Sequence, residues 1–220
     1  MADETPSGRG IPDPLDSRRL AGSRDYVRSL EHRTDAEAIV LLVECLAADS
    51  SYLRELAEAA LVRRGESVSA ALTPLLGRGL WFTRASAARV LSRMGHLAAV
   101  PGLLRLSRDP VATVAADARA ALVALARAGG SARLAWELHR MEAPARLDAL
   151  TGIRRADAAV ATRLDRLMRI EPLMQKSDPG ALRDDASLVR EFEEGVAWEL
   201  PAAPQETAAP PTPGAGPSSR

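Results

Sequence analysis

The sequence predicts an all-α protein, a short α-solenoid of about four stacked helix pairs. Three observations lead there. Hydrophobic residues make up 46% of the 220 residues but aromatics only 3%, so the core has to be assembled from Ala, Leu and Val, which suits close packing of helix on helix. A helical pattern, TRASAARVLSRMG at 83–95, recurs as LRELAEAALVRRG at 53–65 and VAADARAALVALA at 114–126. Each copy follows another apolar stretch (39–46, 70–76, 100–106) across a short breaker: Asp49-Ser50-Ser51, Gly77-Arg78-Gly79 and Asp109-Pro110. A period of about 30 residues holding two helices marks a solenoid, because one pair cannot bury its own apolar face and must stack on the next.

The elements follow in order. Residues 1–16, rich in Gly, Pro and acids, read as a disordered arm. Residues 17–34 read as a helix covering the first end of the array, with Leu20, Tyr26, Val27 and Leu30 on one face and Ser23 as its N-cap. Asp35 is the expected N-cap of the next helix, which should run to about Ala48 before Asp49-Ser50-Ser51 breaks it. The helix after the break carries Leu53, Leu56, Ala57, Ala60 and Leu61 on one face and stops at Gly65.

Laid over one another, the copies align Ala57, Ala87 and Ala118, then Ala60, Val90 and Ala121, then Leu61, Leu91 and Leu122. A fourth, shortened copy, EAPARLDALTGIR at 142–154, keeps Ala149, Leu150 and Ile153 in register. Small residues at fixed positions let neighbouring helices approach closely. These features place the repeats at 35–155. Residues 156–200 read as a helical cap: an amphipathic helix at 157–170 with Val160, Leu164, Leu167 and Met168, ended or kinked by Pro172, and a last helix at 186–198. The Pro/Ala-rich residues 201–220 read as a disordered tail.

The units resemble HEAT-type repeats of the short bacterial kind. In that family the second helix reads as an aliphatic residue, Arg, a run of Ala, then Ala-Leu-Gly and a closing Gly, after an Asp-containing turn. Leu53-Arg54, Ala59-Ala60-Leu61 and Gly65 match. So do Thr83-Arg84, Ala87-Ala88, Leu91 and Gly95, with Thr for the aliphatic residue. The third copy keeps Val114 and Ala120-Ala121-Leu122, with Ala115 for the Arg and Ala126 for the Gly. The turn Asp is Asp49 or Asp109, but Arg78 in the second copy, so an Asp–Arg ladder from repeat to repeat is expected to be interrupted there. The resemblance implies a right-handed stack whose second helices line a concave side. It is nearly silent about activity, because packing residues define the family.

Composition narrows the function classes. Net charge is zero, with 29 basic and 29 acidic residues, which speaks against nucleic acid, whose binding needs clustered positive charge. No apolar run approaches the ~20 residues that span a bilayer, and the polar N-terminus MADETPSGRG carries no signal-peptide pattern. A cytoplasmic protein with no membrane partner is the expectation. Cys45, among Leu41, Leu42, Val43 and Leu46, reads as a buried reduced thiol. No GxSxG, P-loop or GxGxxG is present, and His32, His96 and His139 lie in different units, so no catalytic residue, cofactor or metal site is expected. Some helical-repeat proteins of this size resemble alkylpurine DNA glycosylases, which use a basic concave face with Trp and a catalytic Asp; Trp81, Trp136 and Asp109 are present, but neutral charge and few aromatics point away.

What remains is a non-enzymatic interaction module, a scaffold or adaptor that grips a partner protein on the concave face, with the tail as tether. The binding candidates are the aromatic spot Trp81-Phe82 and the non-core charges of the second helices: Glu55, Arg63, Arg89, Arg93 and Arg119. Reversing Arg89 and Arg93 is expected to abolish binding without changing the melt. The resemblance leaves two alternatives: an accessory subunit or chromophore-lyase-like HEAT protein, and a nucleic-acid-binding one.

Overall fold

A computed structural model of the protein describes residues 14–175; the expected arm before residue 14, the expected helix at 186–198 and the tail lie outside them. Every regular element among the described residues is helical.

The first helix, α1 (Pro14–Glu31), starts ahead of residue 17 and runs straight through Ser23, so Ser23 is an interior position rather than a cap. Pro14 occupies the first turn, where its missing N–H is no loss. Val27 and Leu30 are buried, but Leu20 and Tyr26 are exposed; Tyr26 is one residue, ~100° of helix, off the Val27 direction. Asp35 caps α2 (Ala36–Cys45), accepting from the Ala38 N–H at 2.9 Å. This helix ends before Ala48, because the amides of Leu46, Ala47 and Ala48 bond back three residues in a tightened last turn. Ser50 then caps α3 (Ser51–Arg64), and Gly65, at φ 64°, ends it.

The expected helix at 70–76 is not continuous. A 3₁₀ turn (Gly65–Val68), one α-turn, α4 (Ser69–Leu72), and a second 3₁₀ stretch (Thr73–Gly77) share the job. Pro74 cannot donate the backbone bond an α-helix needs there, so the chain tightens, yet Val68, Leu72 and Leu76 are still buried. Helix α5 (Trp81–Arg93) includes Trp81 and Phe82 in its first turn, two residues ahead of the recurring pattern at 83–95. After a 3₁₀ turn (Leu97–Ala99) come α6 (Val100–Leu106) and α7 (Ala112–Leu125). Ala126 does not close the third copy: the chain runs on and kinks at Ala128 and Gly129, both outside helical geometry, with Gly129 at φ 92°. Helix α8 (Ser131–His139), which the repeat pattern passed over, then supplies the upstream partner of α9 (Ala143–Ala156). Asp157 caps α10 (Ala158–Leu167), accepting from the Ala159 and Val160 amides, and the short α11 (Glu171–Met174) holds Pro172 in its first turn.

Packing follows chain order. Helix α3 lies on α5, α5 on α7 and α7 on α9, while their upstream partners meet in parallel series: α2 with α4, 73–77 with α6, α6 with α8. Helix α1 covers α2 and α3 at one end, and α10 covers α8 and α9 at the other. All nine residues aligned across the first three copies are buried, as are Ala149, Leu150 and Ile153 in the fourth. They belong to one core cluster from Val27 to Met174. Each of Leu61, Leu91 and Leu122 contributes about 1.5–3 kcal/mol by burial.

Candidate functional site

The turns that start α3, α5 and α7 carry two arginines at equivalent positions, with different partners. Arg84 reaches forward one unit and clasps Asp109, Nε to Oδ2 at 2.8 Å and Nη2 to Oδ1 at 3.0 Å, while its Nη1 donates to the Gly79 carbonyl. Asp109 also accepts from the Val111 N–H. Arg84 holds the Asp109 carboxyl below its usual range. One unit earlier the matching carboxylate is missing, since Arg78 stands there. Arg54 instead donates to the carbonyls of Ala48 and Asp49 and lays its guanidinium 4.6 Å from the Phe82 ring centre.

Phe82 in turn meets Trp81 edge-on, ring centres 5.5 Å apart. Phe82 is half-buried, but Trp81 remains 48% exposed and Leu80 beside it 53%. Positive-φ Gly79 precedes this pair. The spot is therefore an open apolar one whose inner ring is fixed by a stacked guanidinium.

Among the charged candidates, Arg89 is engaged within the chain. It bonds Glu58 on α3 and Asp117 on α7, each at 2.5 Å, and Ser86 on its own helix. Glu58 is only 4% exposed. Burial opposes the Arg89 charge, but the two carboxylates outweigh it and raise its pKa. Arg63 pairs with Glu31 on α1. Arg119 donates to the Ser107 carbonyl at 3.3 Å. Glu55 and Arg93 are exposed, with no side-chain bond among the described residues. Three of the five, Arg63, Arg89 and Arg119, are thus engaged within the chain, and a reversal at Arg89 leaves the buried Glu58 unpaired, so an unchanged melt is no longer expected. Glu58 and Asp117 went unnoticed in the sequence. The available signal was opposite charge at about one repeat: Glu58 is 31 residues before Arg89, and Asp117 28 after it.

Elsewhere, Cys45 is buried and its thiol pKa is pushed up by that burial. His96 meets Glu66 at 2.8 Å, while His32 and His139 are exposed. Trp136 is buried, with the guanidiniums of Arg133 and Arg140 5.5 and 4.5 Å from its ring centre. Among the described residues no group of three or more His, Cys, Asp or Glu is placed to hold a metal ion, and no helix is long and apolar enough to cross a membrane. Neither a protein-family model nor a curated protein matches the chain.

Proposed function

We propose that the chain is a non-catalytic protein-interaction module, a short right-handed α-solenoid of HEAT-like helix pairs that docks a partner through Leu80 and Trp81. The observation that carries this reading is the exposure of these two adjacent large apolar side chains beside a ring held by Arg54. Tryptophan is favoured at binding hot spots, and a pre-positioned ring loses little freedom on binding. The serial packing of α3, α5, α7 and α9 and the buried aligned positions support the solenoid reading. The engaged Arg89 moves the expected contact away from a basic concave centre and toward the α5 N-terminus. Affinity capture from the source cells, comparing wild type with a Leu80→Ser, Trp81→Ser double variant, tests it. A protein captured by the wild type and lost by the equally folded variant is expected; identical captured sets would contradict the site.

A further inference from the structure

An open groove of about 940 Å³ runs between the 73–77 stretch and α6. Leu76 and Leu106, both buried, form its floor, with Pro74 and Pro110 at the sides. The two walls approach closely: a Cβ on Gly102 would stand 2.6 Å from Leu76 Cδ1. The one carboxylate lining the groove, Asp109, is already clasped by Arg84. The other charged liners, Arg105 and Arg108, are exposed and make no side-chain hydrogen bond or ion pair among the described residues. The groove thus sets an apolar floor beneath two uncompensated positive charges.

We propose that this groove is the docking site of the chain's own acidic segment, residues 184–199. That segment, DDASLVREFEEGVAWE, holds six carboxylates against the single Arg190, with Leu188, Val189, Phe192 and Trp198 interspersed. Its chemistry complements the groove on both counts: carboxylates for Arg105 and Arg108, apolar side chains for the floor. It is also within reach. Helix α11 packs on α8, and α8 on α6, whose far side lines the groove. Helix axes lie ~8–10 Å apart, so the span is about 25–30 Å, and the residues from 175 to 184 extend to ~30 Å. Tethering raises the local concentration of the segment to the millimolar range, so an acidic partner in solution has to displace it. Leu80 and Trp81 do not line this groove, so the docking reading there and the present one stand or fall separately.

The test uses the full chain. Arg105→Lys with Arg108→Lys keeps the charge and adds side-chain amines where Lys176 is the only other lysine. Carbodiimide treatment and mass spectrometry are expected to join position 105 or 108 to a carboxylate within 184–199 in the monomer fraction. The yield should fall at least about 5-fold in 1 M salt, where charges are screened beyond ~3 Å. In parallel, Arg105→Glu with Arg108→Glu is expected to speed glutamyl-endopeptidase cleavage after Glu193 and Glu194 at least about 5-fold through like-charge repulsion, with circular dichroism unchanged. Cross-links confined to other carboxylates, cross-links found only between two chains, or an unchanged cleavage rate in the reversed variant would each overturn the proposal.

Discussion

The α3/α5 and α5/α7 junctions pack the same small and aliphatic residues in the same register, yet they are fastened differently. At the later junction Arg84 clasps Asp109 with two bonds. At the earlier one Arg78 replaces the carboxylate, and Arg54 stacks on Phe82 while bonding two carbonyls. Arg89 bridges both through Glu58 and Asp117. The contrast separates two roles. Buried Ala and Leu positions set how the helices stack, and the polar rung is interchangeable. Where the rung is an ion pair the surface carries charge; where it is a ring, the neighbouring Trp81 and Leu80 remain exposed.

The largest expected effect breaks what the junctions share. Arg89→Glu leaves Glu58 buried without its cation and adds a third carboxylate, so a loss of about 3 kcal/mol is expected by urea unfolding. Asp109→Ala touches only the later junction and should cost about 2 kcal/mol, since it leaves Arg84 half-buried and unpaired. Acid probes the same carboxylate. Its folded pKa lies below the unfolded value of ~3.9, so its contribution is complete above about pH 4 and is lost as pH falls through the folded pKa. Asp157, lowered by the Val160 amide and by Arg127, and Asp35, held to about 2 by Arg33 and the Ala38 amide, act in the same direction. Stability measured from pH 5 to 2 should therefore fall less steeply for Asp109→Asn than for the wild type. Phe82→Leu removes the ring from the earlier junction and should cost about 1 kcal/mol; a loss equal to that of Asp109→Ala would mean that the two rungs are not alternatives of different strength. The smallest effect is a gain: Arg78→Asp supplies the missing carboxylate and should add about 0.5 kcal/mol in the Phe82→Leu background, and less in the wild type, where Phe82 still holds Arg54.

What could be read in the sequence was what repeats. The positions of Ala57, Ala87 and Ala118 are all fully buried, because close helix approach demands small side chains at each recurrence. Asp35, Gly65 and Gly95 also do what their chemistry suggests. The irregularities were harder. Pro74 turns an apolar run into 3₁₀ pieces without moving its buried leucines, and hydrophobic spacing alone does not separate the two. The third copy closes at the Ala128-Gly129 kink instead of Ala126, and that shift hid α8. At the site, Trp81 stood out as an aromatic in a chain with few, but the partners of Arg89 lie on other helices at offset repeat positions, which no local pattern displays. The open groove beside α6 likewise depends on Gly102 and Leu76 meeting across two elements.

The central claim is that binding rests on Trp81, and a calorimetric comparison with the captured partner tests it most directly. Trp81→Ala and Leu147→Ala each remove one exposed apolar side chain, the latter from α9, where Leu147 is the most exposed large apolar residue described. A hot-spot tryptophan is worth about 2 kcal/mol or more, so Trp81→Ala is expected to raise Kd about 30-fold, with Leu147→Ala within about 2-fold of wild type and both variants melting normally. Equal Kd values for the two variants, or a larger loss at Leu147, would contradict the assignment.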